Sequence, residues 1–190
     1  MTDDEQRRRF ELLALPHLDA AFNLARWLTH NDEDARDVVQ DAFMRALRYI
    51  GGFRGDNARG WLLQIVRHTC FTWLKENRPA DVVPLDDEDD GFPELPGPAG
   101  DEPQVIAMRK HDRAQLDRAI AGLPVAFREV LVLRELEELS YLDIARIADV
   151  PIGTVMSRLA RARGLMRQAL APERPALRPV PTPARRGERP

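Results

Sequence analysis

The chain has 190 residues, of which 44% are hydrophobic and 31% charged, and this size and balance suit one or two small folded domains. No apolar run is long enough to span a bilayer, and the opening residues MTDDEQRRRFELL lack the apolar core of a secretory signal, so we expect a cytoplasmic protein. The single cysteine, Cys70, excludes an internal disulfide, and its apolar neighbours predict a buried structural thiol.

The charges are distributed unevenly along the chain. The net charge is −3, but nine of the acids lie between Asp81 and Glu102, a segment without Lys or Arg. The rest of the chain carries 28 basic and 22 acidic side chains, a net charge of +6. Such asymmetry is typical of nucleic-acid-binding domains joined by an acidic tether.

Proline residues divide the chain into folded and unfolded parts. Six of the fifteen prolines lie in Pro79–Pro103 and six in Pro172–Pro190, and neither segment has helical or strand periodicity. We therefore predict a flexible acidic linker over 79–103 and a disordered Pro/Arg-rich tail over 172–190. Two folded units remain, residues 1–78 and 104–171.

Apolar spacing predicts an all-α first unit, and no convincing strand pair is found in either unit. Its three helices are Leu12–Thr29, a helix capped by Asn31 or Asp32 that runs to about Tyr49 and ends at Gly51-Gly52, and Trp61–Asn77. The second helix is amphipathic, and its polar face carries Asp37, Gln40, Asp41, Met44 and Arg48. An exposed methionine in a mixed-charge stripe favours protein contact, although most polar helix faces are only solvated.

Aromatic and basic residues alternate irregularly from residue 53 to residue 78. They are Phe53, Arg54, Arg59, Trp61, Arg67, His68, Phe71, Trp73, Lys75 and Arg78. Proteins that bind single-stranded DNA use this mixture, because cations follow the backbone while aromatic or apolar pockets hold unstacked bases. The alternative is an ordinary core; we expect Trp61 to be mostly core and the loop Phe53–Arg59 to be exposed. His68 could touch a base or a phosphate.

The second unit contains four predicted helices and ends in a helix-turn-helix pattern. The helices are about Gln104–Ala121, Val125–Glu135, Tyr141–Ala148 and Pro151–Leu170. The stretch from Pro151 to Ala171 has no acid but four arginines: Arg158, Arg161, Arg163 and Arg167. Two helices joined by a short turn, the second wholly cationic, is the layout of a reader of duplex DNA. The alternative is a solvated basic face on a bundle helix.

The last helix has an apolar face and a polar face. We expect its apolar residues, Ile152, Val155, Leu159, Ala162 and Met166, to pack on the preceding helices through Leu142, Ile144, Ala145 and Ile147. The opposite face carries Thr154, Ser157, Arg161, Gly164 and Gln168. Small and hydrogen-bonding side chains permit close approach to base edges, and arginine can bridge a guanine or hold a phosphate.

Three motifs in this order resemble those of bacterial extracytoplasmic-function (ECF) sigma factors, the smallest sigma factors of RNA polymerase. The first is DARDVVQDAF at 34–43, similar to the family's D-A-x-D-hydrophobic-hydrophobic-Q-[DE]-x-F signature. The second is FRG at 53–55 with WL at 61–62 and IVR at 65–67, and the third is PIGTVxSRLxRAR at 151–163. The resemblance covers about residues 10–78 and 112–170.

The resemblance implies a promoter-specificity subunit that is not an enzyme. Residues 1–78 would form sigma domain 2 and residues 104–171 sigma domain 4, joined by the linker 79–103 and followed by the tail 172–190. The implied partners are the RNA polymerase core, through its beta-prime clamp helices and beta flap, promoter DNA and an anti-sigma factor. No catalytic residue, cofactor, metal or small-molecule substrate is expected.

The same resemblance implies roles for individual residues. Contact with the −10 element, including capture of a flipped-out base, would fall to Phe53, Arg54, Asp56, Asn57, Arg59 and His68. Contact with the −35 duplex would fall to Thr154, Ser157, Arg158 and Arg161, and contact with the polymerase clamp to Asp37, Gln40, Asp41 and Met44. Met156 and Ala160 depart from the family pattern, which often has Arg and a large residue there, so the −35 sequence does not follow from the resemblance.

Two other classes of protein remain as alternatives. A stand-alone helix-turn-helix transcriptional regulator would bind duplex DNA without polymerase, but it leaves the aromatic-basic segment unexplained. A helical protein-interaction adaptor would make the basic face incidental. A metal site has no support, because His17, His30, His68, His111 and Cys70 lack zinc spacing and the acids 86–90 lack the glycine-spaced loop of a calcium hand.

Overall fold

The computed structural model describes residues 2–82 and 105–171, with side chains described from residue 113 onward in the second range. Across these residues the chain is helical and contains no strand, so the predicted all-α fold is confirmed. Most of the predicted linker and the whole predicted tail lie outside the described residues.

Four helices form the N-terminal unit, residues 2–82. They are α1 Asp3–Leu13, α2 Leu18–Thr29, α3 Asp32–Tyr49 and α4 Ala58–Asn77, with 3-10 turns at Leu15–His17, Ile50–Gly52 and Pro79–Asp81. The prediction of one helix over Leu12–Thr29 was wrong, because Pro16 lies in the turn that separates α1 from α2. α1 was not predicted from the sequence, because none of its residues is buried. Its start is held by a capping box of Thr2 and Glu5.

Asparagine caps set the starts of α3 and α4. Asn31 Oδ1 accepts from the backbone N–H of Glu33 at 2.7 Å, which confirms one of the two predicted caps. Asn57 Oδ1 accepts from the N–H of Gly60 at 2.7 Å, so α4 begins at Ala58, earlier than predicted. A Cβ on Gly60 would lie 2.8 Å from Asn57 Nδ2, so glycine permits the close approach of this amide.

The C-terminal unit, residues 105–171, also has four helices. They are α5 Val105–Ala121, α6 Val125–Leu131, which continues as a π-helical turn at Val132–Leu136, α7 Tyr141–Ala148 and α8 Ile152–Ala169. α8 packs on α6 and α7. As predicted, the residues buried between them include Ile144, Ile147, Val155, Leu159 and Ala162.

Two residues of the predicted apolar face are exposed instead. Leu142 is 53% exposed and Ile152 is 47% exposed. Both lie in the first turn of a helix, where the side chain leans toward the N-terminus and past the packed length of the helix. Leu165, which the predicted face omitted, is 1% exposed and contributes to the core in their place.

The two units pack against each other. α4 lies against α7 and α2 lies against α6, and buried apolar residues of both units form one continuous cluster. Cys70 is completely buried in α4, as predicted, and burial raises the pKa of its thiol above the ordinary range. No helix in the described ranges is long and apolar enough to cross a membrane.

Candidate nucleic-acid interfaces

The outer face of α8 presents three of the residues predicted to meet duplex DNA. Ser157 is exposed, and its hydroxyl donates to the carbonyl oxygen of Thr154 at 3.0 Å. Thr154 and Arg161 are half-buried on the same side of the helix, at the spacing of successive turns. Because α8 contains no acidic residue, this face has no carboxylate of its own helix to repel a DNA backbone.

Arg158 lies differently from the other predicted −35 residues. Its Nε is buried and has no hydrogen-bond partner in the described part of the chain. Burial raises the pKa of the nearby Glu129, whereas Arg67 and then Arg158 act in the opposite direction. Arg158 is therefore close to the carboxylate of α6 and does not lie wholly on the outer face of α8.

The loop before α4 is exposed around an aromatic pair. The rings of Phe53 and Trp61 lie 5.0 Å apart between centroids, and both residues are half-buried. Arg9 Nη2 donates to the carbonyl oxygen of Phe53 at 2.5 Å, and Arg54 Nη1 donates to that of Gly51 at 2.6 Å. These bonds hold the loop in shape while leaving the Arg54 side chain exposed. Trp61 packs against the core but is only half-buried, so it is only partly the core residue that the sequence predicted.

The other predicted −10 residues are spread along α4. Asp56 and Asn57 are exposed just before the helix, and Arg59 is half-buried in its first turn. His68 is exposed but lies about 13 Å further along the helix axis, at 1.5 Å per residue. The structure therefore groups the loop residues and Arg59 at one end of α4 and leaves His68 apart from them.

The polar stripe on α3 is exposed. Asp37, Gln40, Asp41 and Met44 are all exposed, and Met44 is 50% exposed. Asp41 pairs with Arg45 at 2.8 Å, one turn along the same helix. A surface pair of this kind contributes little to stability, about 0.3–0.5 kcal/mol. The four side chains are therefore exposed to solvent, and the one ion pair among them adds little to stability.

Sequence reasoning missed the polar contacts between the two units. Glu129, from α6, is completely buried and accepts from Arg67 Nε at 2.5 Å. Arg128 Nη1 donates to the carbonyl oxygen of Ala121 at 2.8 Å and contacts the ring of His30 across the unit boundary. No local pattern distinguishes these residues from ordinary surface charges, because helical periodicity does not tell which polar faces will meet.

An apolar groove in the C-terminal unit was also missed. It lies between α5, the π-helical turn and α8, and has a volume of about 600 Å³. Its apolar lining comprises Leu116, Ile120, Leu131, Val132, Leu136, Met166 and Leu170, and its charged lining comprises Glu135, Arg163 and Arg167. Glu135 and Arg163 pair at 2.6 Å. Within residues 2–82 and 113–171, no group of three His, Cys, Asp or Glu side chains is placed to hold a metal ion.

Two family models match the chain, one in each unit. Sigma-70 region 2 matches residues 13–79, and Sigma-70, region 4, matches residues 113–166. The RNA polymerase sigma-H factor of Pseudomonas aeruginosa is 37% identical over 175 residues, which cover 87% of this chain and 88% of that protein. The ECF RNA polymerase sigma-E factor of Escherichia coli is 37% identical over 139 residues, covering 68% and 70%. The chain belongs to the ECF sigma factors of RNA polymerase.

The fold of this ECF sigma factor is similar to solved structures. The sigma factor RpoE of Bartonella quintana, solved in complex with the anti-sigma factor NepR, is 25% identical with a TM-score of 0.65, covering 87% of this chain and 98% of RpoE. CnrH, solved with the cytosolic domain of CnrY, is 23% identical with a TM-score of 0.60, covering 86% and 88%. The predicted family is confirmed: the chain is an alternative sigma factor, which directs RNA polymerase to specific promoters and assists promoter melting.

Proposed function

We propose that the two units of this sigma factor hold the two ends of one promoter. The C-terminal unit, domain 104–171, reads the −35 element as duplex through α8. The N-terminal unit, domain 1–78, binds the polymerase core and captures an unpaired base of the −10 element, and residues 79–103 connect the two. The observation that carries the proposal is the acid-free α8 with Ser157 exposed on it.

The −35 assignment rests on the chemistry of one helix face. Thr154, Ser157 and Arg161 offer hydroxyl and guanidinium groups on successive turns, and these groups hydrogen-bond base edges in a major groove. Arg158 contributes a phosphate contact, because its partly buried guanidinium favours positioning over base reading.

The −10 assignment rests on the loop and the first turn of α4. Phe53 and Trp61 form an aromatic surface on which an unstacked base can lie, and Arg54 and Arg59 supply cations for the strand that carries it. Asp56 and Asn57 offer polar groups for the edge of the captured base, and His68 contacts the backbone further along the helix.

Two surfaces suit the polymerase core. The α3 stripe of Asp37, Gln40, Asp41 and Met44 is exposed and fits the beta-prime clamp helices. The apolar groove of the C-terminal unit has Arg167 beside it, while Arg163 is paired with Glu135, and it fits a helix of the beta flap that has an apolar face and an acidic residue at its edge. An anti-sigma factor is the further partner, as NepR is for RpoE.

The protein works in the cytoplasm beside the polymerase and performs no catalysis of its own. Its contribution is recognition of the promoter and stabilisation of unpaired DNA, which need neither cofactor nor metal. This separates it from an enzyme that acts on DNA, because such an enzyme needs a catalytic constellation among its own side chains.

The experiment is reconstitution of the chain with purified RNA polymerase core, followed by transcription from fragmented genomic DNA of the source cell. We expect a stable complex and initiation at a restricted set of promoters that core alone does not use. A helix-turn-helix regulator would bind duplex DNA without joining the polymerase, and an adaptor would support no initiation. Either result would contradict the proposal.

A further inference from the structure

Three apolar side chains lie in a row on the outer side of α8. Ile152 is 47% exposed and Met156 is 54% exposed, and the smaller Ala160 is also exposed. Residues four apart lie on one side of a helix, about 6 Å from one another along its axis. Isolated exposed apolar residues are ordinary, but a row of them on one helix indicates a contact surface. We call Ile152, Met156 and Ala160 the apolar strip.

The apolar strip lies beside the polar residues assigned above to the −35 duplex. At about 100° per residue, Ser157 lies about 60° around the helix from Ala160, and Gly153 and Gly164 lie between them. A Cβ at either glycine would meet no atom within 4 Å, so the helix surface is low and open there. A groove that receives Ser157 therefore also comes within reach of the apolar strip.

The charges of α8 favour DNA as the partner of this surface. The helix carries Arg158, Arg161, Arg163 and Arg167 and no acid. Arg163 pairs with Glu135, whereas Arg167 is exposed. Cations on a helix without acids attract a polyanion. The one apolar group that base pairs present in the major groove is the C5 methyl of thymine, so an exposed apolar side chain in that groove finds its complement at thymine.

Met156 is unsuited to the base that an arginine would read. The family often has arginine at this position, and arginine bridges the O6 and N7 of guanine. Methionine has no N–H group to donate, but its flexible and polarisable thioether packs well in irregular apolar contacts. Methionine at position 156 therefore suits a methyl group and not guanine.

We propose that Met156, with Ile152 beside it, contacts the C5 methyl of a thymine in the −35 element. The promoters of this sigma factor then carry thymine at one base pair next to those that Ser157 and Arg161 contact. The other bases are disfavoured there because they offer no methyl group in the major groove. The proposal rests on the assignment of α8 to the −35 duplex, and it adds the identity of one base within that element.

The test replaces thymine by deoxyuridine, one base at a time, across the −35 region of a promoter that the reconstituted polymerase selects. Deoxyuridine lacks the C5 methyl but keeps the hydrogen-bonding groups of thymine, so only an apolar contact is removed. Competition with the unmodified promoter measures binding by the polymerase that carries this factor. One replacement should weaken binding about threefold to fivefold, the scale of one buried methyl group.

A variant assigns the lost contact to a side chain. Met156→Ala should abolish the effect of deoxyuridine, so that the two duplexes bind the variant polymerase equally. Leu12→Ala is the control, because Leu12 is a large apolar residue that is 76% exposed on α1, outside the C-terminal unit. It should keep the full effect of deoxyuridine, and loss of the effect in this variant as well would overturn the assignment to Met156.

The failures of the proposal and of its premise give different results. If no deoxyuridine weakens binding although altered −35 base pairs do, the methyl contact is overturned and the −35 assignment stands. If altered −35 base pairs leave binding unchanged, the assignment of α8 and the proposal are overturned together. If Met156→Ala keeps the effect of deoxyuridine, the proposal is overturned, and reduced affinity of that variant for the core would identify the apolar strip as a protein-binding surface.

Discussion

Arg67 donates from Nε to Oε1 of Glu129 at 2.5 Å, and this bond crosses from α4 of one unit to α6 of the other. The Glu129 side chain is fully buried and that of Arg67 is 15% exposed. Losing one partner of such a pair leaves an uncompensated charge, whereas replacing both partners by apolar residues is often neutral. The pair therefore makes the stability of the packed arrangement depend on matched charge.

We expect Arg67→Ala to lower the free energy of unfolding by about 3 kcal/mol. The loss cannot exceed the free energy of separating the units, because Glu129 regains water once they part. Arg67→Met combined with Glu129→Leu should recover most of the loss. Urea unfolding followed by circular dichroism measures both, and equal stability of the single and double variants would contradict the uncompensated charge.

The contact of His30 with Arg128 predicts a dependence on pH. Burial, then Arg128 and Arg78, lower the pKa of His30 to about 4, and Asp81 opposes them weakly. Between about pH 6.5 and pH 4, His30 is therefore protonated in the unfolded chain but neutral in the folded chain. The free energy of unfolding thus falls as the pH drops through this range. The raised pKa of Glu129 acts in the opposite direction, so a variant must isolate the contribution of His30.

His30→Asn is the matched variant for that comparison. His30 ends α2 with φ 59°, a left-handed conformation that Asn adopts readily, so the helix end should persist. The variant should lose less stability than the unchanged chain between pH 6.5 and pH 4, measured by thermal unfolding at a series of pH values. If both chains lose the same stability between pH 6.5 and pH 4, His30 is not the source of the pH dependence.

Arg161→Ala should weaken binding of the reconstituted polymerase to −35 duplex by about 1–3 kcal/mol if this arginine reads a base. Arg118→Ala is the control, because Arg118 is an exposed arginine of α5 and its loss changes net charge equally. Competition with duplexes altered in the −35 region measures both. Promoter-dependent transcription that Arg161→Ala leaves unchanged would refute the role.

Gln40→Ala with Asp41→Ala should reduce affinity for the polymerase core while leaving the fold intact. Both residues are exposed, and the lost Asp41–Arg45 pair contributes only about 0.3–0.5 kcal/mol to stability. Lys75→Ala with Glu76→Ala, near the end of α4, is the control on an exposed surface outside the stripe. Fluorescence anisotropy of the labelled factor against purified core measures affinity. Equal affinity in both double variants would remove the clamp assignment.

The sequence predicted features that depend on residues close together in the chain, such as helix starts and buried helix faces. Asn31 marked the start of α3, and the spacing of Val155 and Leu159 identified the buried face of α8, because caps and periodicity act within a few residues. It could not predict that Arg59 meets Glu137, since that contact joins residues far apart in the chain. It also misassigned Ile152, because periodicity does not tell where a packed neighbour ends.

The oxygen and the nitrogen of the Asn57 side chain make different contacts. Its oxygen holds the start of α4 through Gly60, while its nitrogen reaches Asp143 in the other unit. Only the contact of the nitrogen joins the two units, so only that contact would be lost if they were separated. The cap that starts the helix carrying Arg59 is therefore made within the N-terminal unit and does not depend on the contact with Asp143.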